Sequence, residues 1–327
     1  MKKLLACFII ALATNISGFA QLDQIENLIK GSKADTEYLI EGYLSPLLKG
    51  VGYGLNQGWY NTAKPHKTLG FDLTVTVSLI SIPESEKTFK VDNNSLSSLQ
   101  CVSPSNGAVP TIFGSPDVTP QYKFKGALSS LPPINGPSGI KIPGNFNITA
   151  IPVPIANLSI GIIKGTDIKI RYVPTVEGDG FKVDMLGGAI MHDIKQHIPG
   201  IKSLPFDLSV LAGFTQFKLN TSFGGNKEGI AEIKAMTIQA IVSKKISVLT
   251  GYAAMGYGQA SAAFDALGTY DLGTGATITD PVSLSRSSSG PRMTAGLRLK
   301  LGPLAFHGDY TIQKFPTTSV GVGLGIR

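Results

Sequence analysis

Cysteine is nearly absent. The 327 residues hold two, Cys7 and Cys101, and Cys7 sits inside an apolar leader. Loss of that leader leaves one thiol and excludes an intrachain disulfide. Long apolar runs are missing too. Beyond the leader no stretch approaches the roughly 18 consecutive apolar residues of a membrane-crossing helix. Charge is sparse, at 16% of residues against roughly 25% in ordinary soluble domains. No basic run is interleaved with aromatics, which argues against nucleic acid. No Gly-x-Ser-x-Gly turn presents a nucleophile, and no enzymatic activity is expected. A chain with no spanning helix has one route left into a bilayer, a closed barrel, because only helices and barrels satisfy every backbone group in lipid.

What is present begins with the leader. Lys2 and Lys3 precede an apolar run over residues 4–13, and Gly18-Phe19-Ala20 makes a small-x-small cleavage site. A signal peptide over residues 1–20 is expected. The Leu4-Leu5-Ala6-Cys7 box comes too early in it for lipidation. The formal charge of +7 falls to about +5 without Lys2 and Lys3, a mildly basic solvated surface.

Residues 71–80 then alternate. Phe71, Leu73, Val75, Val77 and Leu79 share one parity, and Asp72, Thr74, Thr76 and Ser78 the other. Successive strand side chains point to opposite faces, and about 9–11 residues let a tilted strand cross the hydrocarbon core. Nine further segments repeat the pattern. Their apolar faces include Leu158 and Ile160, Ile168 and Ile170, Phe181, Val183, Met185 and Ala189, Val210 and Phe214, and Met236 and Ile238. Tyr252 and Ala254, Met293 and Leu297, Phe306 and Tyr310, and Val320, Val322 and Leu324 complete the set. Long and short connections alternate between them, as in outer-membrane barrels. The fold class expected is all-β, a transmembrane antiparallel barrel of 10–14 strands with an N-terminal helical, hatch-like segment.

Residues 21–69 form that segment. Leu22, Ile25, Leu28 and Ile29 recur at helical spacing, Asp35 is placed to cap a second run, and Gly50 to stop it. Gly50, Gly52, Gly54 and Gly58 are clustered where backbone must approach backbone. The barrel occupies residues 70–327, with long extracellular loops at 83–152 and 264–290. Lumen-facing Asp72, Asp207, Arg292, Arg298, Lys300, His307 and Asp309 suit a polar lining or ion pairs. His192, Asp193 and His197 are the only close set of metal-ligand types. Histidines five apart share no helix face, so no metal site and no cofactor are expected. The last strand ends in Ile326-Arg327, where outer-membrane barrels usually close on an aromatic.

The words Tyr43-Leu44-Ser45-Pro46-Leu47, residues 52–67 and Met191-His192-Asp193-Ile194-Lys195-Gln196 resemble a family of uncharacterised outer-membrane barrels. More loosely, a helical segment ahead of a barrel with large outer loops is similar to FadL-type transporters. That likeness implies a lumenal hatch and hydrophobic substrates, although such barrels have fourteen strands against the ten counted here. The function it implies is a channel for small hydrophobic molecules in the bacterial outer membrane, with Leu44, Leu47, Leu48, Trp59 and Tyr60 as the hatch contacts to ligand. The alternative is a non-transporting barrel whose outer loops bind a protein or surface polymer. Expected partners are outer-membrane lipid and lipopolysaccharide, the barrel-assembly machinery and, if the lumen conducts, a hydrophobic small molecule.

Overall fold

The computed structural model describes residues 27–140, 150–178, 180–271 and 277–326. The alternating segments close into one antiparallel barrel of ten strands: β1 (Phe71–Ser81), β7 (Ala150–Gly161), β8 (Thr166–Gly178), β9 (Phe181–Asp193), β10 (Asp207–Gly224), β11 (Lys227–Ile246), β12 (Leu249–Leu267), β15 (Val282–Leu301), β16 (Leu304–Ile312) and β17 (Thr317–Ile326). β1 pairs with β17 from Phe71↔Ile326 to Ile80↔Thr317 and shuts the ring. Small strands β2 (Thr88–Lys90), β3 (Leu99–Ser103), β4 (Ala108–Pro110), β5 (Gln121–Phe124) and β6 (Ile134–Asn135) lie between β1 and β7, and β13 (Thr269–Asp271) and β14 (Thr277–Thr279) between β12 and β15. The outer surface carries an exposed apolar belt including Leu73, Ile170, Ile238, Met255, Leu297 and Phe306. Such a belt is stable only against lipid. The inner parity is buried and polar on β1, at Asp72, Thr74, Thr76 and Ser78.

Two strands invert the expected parity. On β9, Val183, Met185 and Ala189 point inward and are buried, while Leu186 and Ile190 are exposed. On β12, Tyr252 and Ala254 point inward while Met255 and Tyr257 face out. Both strands are apolar on both faces because their lumenal sides pack against an occupied interior. Ala189 and Ala254 share a buried cluster with Trp59. Alternation alone cannot rank two apolar faces.

The loop lengths are also corrected. The connections expected near 174–180 and 220–229 are largely strand. β8 reaches Gly178 and β9 starts at Phe181, while β10 reaches Gly224 and β11 starts at Lys227. Likewise, most of the 264–290 loop is β12 running to Leu267 and β15 starting at Val282, with the β13–β14 hairpin between. β11 and β15 each have 20 residues, about twice what the hydrocarbon core needs. Toward the capped end the outward face turns from apolar to polar, and a run such as Ser285-Arg286-Ser287-Ser288-Ser289 carries no alternation to read. The connection from β1 to β7 is much the longest, and its described part folds into a cap of two small sheets, β2–β4 and β3–β5–β6.

The wall has one weak seam. β7 and β8 are laddered from Gly161↔Asp167 to Asn157↔Arg171 and no further among the described residues. Pro152 and Pro154 on β7 and Pro174 on β8 stand in the unladdered part, where a residue with no N–H can be accommodated.

The N-terminal segment enters the barrel from the capped end. Helix α1 (Lys33–Leu55) has Ser32 as its N-cap, accepting from the Asp35 amide. Asp35 is therefore inside the first turn and not the cap. Its carboxylate reaches outward and accepts from the amides of Ser97, Ser98 and Leu99 and from both serine hydroxyls, at 2.7–3.0 Å. Burial pushes this carboxyl up, but the amides of Ser97, Ser98 and Leu99 and the Ser98 hydroxyl outweigh it and hold it below the usual carboxylate range. A depressed value stabilises the fold above the unfolded pKa of about 3.9 and withdraws that stability as pH falls through the folded value. Asp35→Ala, which strands buried donors, is expected to loosen the cap by about 2–4 kcal/mol. Limited proteolysis within residues 82–140 reads this, and the wild type should approach the variant's cleavage rate only below about pH 4.

Candidate functional site: the filled lumen

The site is built around the lower end of α1. Gly50, Gly52 and Gly54 let the helix lie against the wall: a Cβ on Gly52 would stand 2.5 Å from Ala260 Cβ, and one on Gly54 2.7 Å from Ile80 Cδ1. Packing thus carries the helix through Pro46 and past Gly50, beyond its expected end. Its 23 residues span about 34 Å at 1.5 Å each, the depth of a bilayer core.

A helix C-terminus leaves carbonyls unpaired and carries partial negative charge. α1 has no basic residue in its last turn, and the wall supplies the charge instead. Arg171 of β8 donates from Nη1 to Leu55 O (2.6 Å), from Nη2 to Gln57 O (2.8 Å) and from Nε to Asn157 Oδ1 (2.9 Å). Arg292 of β15 donates from Nη1 to Asn56 O (3.0 Å) and from Nη2 to Gln57 Oε1 (2.6 Å). Both side chains are almost fully buried, Arg171 at 1% and Arg292 at 2% exposed. A buried guanidinium is tolerated when its donors are matched. Arg171 is matched on all three nitrogens, Arg292 on its two terminal ones while its Nε has no partner, and the two clamp the helix end between two strands of the ring.

Below the clamp the chain turns at Gly58, whose φ of +72° is in the left-handed region, and descends extended. Trp59 lies under the Arg171 guanidinium, 3.5 Å from carbon to ring centroid. It reaches the wall because Gly213 has no side chain there. Tyr60 donates to Gln239 Oε1 (2.7 Å), Ala63 N to Ser243 Oγ (2.9 Å), and Ser209 Oγ to Ala63 O (2.6 Å). At the short-turn end His66 is a latch: its amide and Nδ1 meet the Asp167 carboxylate at 2.8 and 2.9 Å, and Nε2 lies 2.9 Å from Asp72 Oδ2.

The residues expected to contact a ligand are spread along this path. Leu44 is buried in the core that joins α1 to the cap, with Leu47 and Leu48 packed against it. Trp59 and Tyr60 belong to the lower cluster, beyond the arginines. The five do not converge on one cavity. Two cavities bordering the plug hold about 20 Å³ beside Leu48 and about 10 Å³ beside Trp59 and Tyr60, far below the ~300 Å³ of a small-molecule pocket. Of the lumenal charges expected, Asp72 joins the latch, Arg292 the clamp, His307 stands 3.3 Å from Thr76, and Asp309 accepts from Tyr252 at 2.8 Å. Arg171 stood among the polar residues of its strand, with no sign of a special role. The readable clue was a helix with no cation in its last turn.

Among the described residues no group of three or more His, Cys, Asp or Glu side chains could hold a metal ion. The turn after β9 is not the helix that the spacing argument assumed. His192 is the last residue but one of β9, and His197 ends a 3-10 turn (Lys195–His197).

A closed barrel with an apolar belt and a lumen filled by its own N-terminal segment defines a plugged barrel of the outer-membrane class. The chain belongs to a family of unknown function, DUF6588, whose model matches residues 1–326. No curated protein is matched by its sequence. Among solved structures it is similar to Ail, the attachment invasion locus protein of Yersinia pestis, at 10% identity and TM-score 0.29, covering 80% of this chain and 100% of that one. It is also similar to the translocator domain of the autotransporter NalP from Neisseria meningitidis (11%, TM-score 0.32, 90% and 98%). A third is a mutant of the monoaromatic hydrocarbon channel TodX (7%, TM-score 0.24, 80% and 68%). At these scores nothing about function follows from the likeness.

Proposed function

We propose that this is an outer-membrane barrel, closed to water-soluble solutes, that passes small hydrophobic molecules through its outer half and sideways into lipid, in the manner of FadL-type channels. The observation that supports it is the seam. Where the β7–β8 ladder stops, the lumenal lining is apolar: Val153, Ile155, Val173, Met185 and Phe315 form one buried cluster with Tyr53 and Leu55 of α1. A hydrophobic molecule leaving there avoids the polar clamp below. α1 now fills that space, so passage requires its upper half or the cap to move.

The test locks the seam. Ile155→Cys with Val173→Cys joins the pair that the ladder would bring together if it continued. Proteoliposomes of the reduced protein should accumulate a fluorescent fatty acid, and oxidation should abolish uptake. Equal uptake in both redox states, or none in the wild type, sinks the proposal. A second reading is a non-transporting barrel whose cap binds a protein or surface polymer. It draws on the filled lumen, and is favoured if the wild type takes up nothing.

A further inference from the structure

We propose that His192 and His197 form a binding site for one borderline divalent transition-metal ion, Zn²⁺ or Cu²⁺, on the short-turn face of the barrel. The two Nε2 atoms lie 3.0 Å apart. The ring centroids are 5.2 Å apart with planes within 24°, so the nitrogens point at each other edge to edge and the rings do not overlap face to face. The surroundings hold both rings in place. Thr166 Oγ1 is 2.8 Å from His192 Nδ1, the type of outer hydrogen bond that fixes tautomer and orientation in histidine metal ligands. Gln196 lies 3.4 Å from His192 Nε2, but its amide already donates to Lys164 O and Asp193 O at 2.8 Å each. Those two bonds, with Asp193 N donating to Gly165 O at 2.9 Å, tie the turn to the β7–β8 hairpin. The second nitrogen is therefore left facing only its twin.

Two imidazole nitrogens so placed share a proton or an ion. An ion bound at ~2.0–2.1 Å from each nitrogen sets them roughly 2.9–3.3 Å apart, from a right-angle to a tetrahedral bite. The observed separation lies in that interval, and rotation of both rings at this half-buried and exposed pair would aim the two lone pairs at one point. Water fills the remaining positions. Bound metal would rivet the β9–β10 turn and leave the lumen unchanged.

The chain has four histidines, and the other two, His66 and His307, are buried in the lumen, which makes the test clean. Protein purified in detergent without a polyhistidine tag is titrated with Cu²⁺ and, separately, Zn²⁺ by calorimetry, and the Cu²⁺ form is read by electron paramagnetic resonance. One ion per chain with coupling to two nitrogens is expected. His192→Gln and His197→Gln should each weaken binding at least tenfold while thermal melting of the metal-free barrel stays unchanged. Wild-type binding no tighter than that of His197→Gln overturns the site, as does a resonance with a single coupled nitrogen.

Discussion

Replacing Arg171 and Arg292 together with alanine is expected to convert a barrel that is silent to ions into one that conducts. The two guanidiniums bind three consecutive residues at the end of α1 through Leu55 O, Asn56 O and Gln57 O. Hydrogen bonds to charged groups contribute about 1.5–3 kcal/mol each, and stranding the carbonyls adds a desolvation cost. The double variant thus weakens the plug by on the order of 5 kcal/mol, enough to shift it from bound to largely released. Trp59 also loses the cation it lies against, a contact of roughly 2 kcal/mol when desolvated. The ring should survive, because its ladders run through backbone groups that the substitution leaves alone. Lysine at both positions should rescue poorly, since an ammonium cannot reproduce the fork. Arg286→Ala, which removes an exposed pair with Glu41, is the control and should stay silent. Planar-bilayer recording decides: no openings from the double variant would mean that the clamp does not hold the plug.

A second all-or-none result concerns direction. Lys33 is exposed at the capped end and Leu69, 82% exposed, at the short-turn end, with the whole lumen between them. In outer-membrane barrels the short turns face the periplasm. A membrane-impermeant maleimide added to intact cells should therefore modify Lys33→Cys and leave Leu69→Cys untouched, while permeabilised cells should show both labelled. The native Cys101 is buried and gives little background. Labelling of Leu69→Cys alone on intact cells would reverse the orientation.

The barrel wall was legible because lipid outside and polar lining inside write a period of two into β1, β8, β11, β15 and β16. Legibility failed wherever a second surface erased the contrast. β9 and β12 face lipid on one side and the plug on the other, so Met185 and Leu186 are both apolar for different reasons. The outer ends of β12 and β15 bury Ala262, Ala266, Val282 and Leu284 on the inner side and turn polar, Ser- and Gly-rich positions outward, so they read as loops. The helix was expected to stop at Gly50, since propensity penalises glycine. The narrow lumen rewards the same residues with close packing, and tertiary contact prevailed at Gly52 and Gly54. Trp59 is the sole tryptophan, but its partner, Arg171, is more than a hundred positions away and nothing local joins them. The histidine pair is invisible to helical spacing because a strand end folding back through a tight turn leaves no periodic trace.

The direction of α1 has a consequence for how the molecule is made. The segment that fills the lumen precedes β1 in the chain, and β1 completes the ring by pairing with β17, the last strand. The molecule is a loop tightened around its own thread. The thread precedes the wall in the chain, and a ring that closes with residues 33–66 already across its space needs no later threading. Once closed, a folded domain fused ahead of the helix would act as a stopper at the capped mouth. The thread could then be withdrawn only by opening the β1–β17 junction.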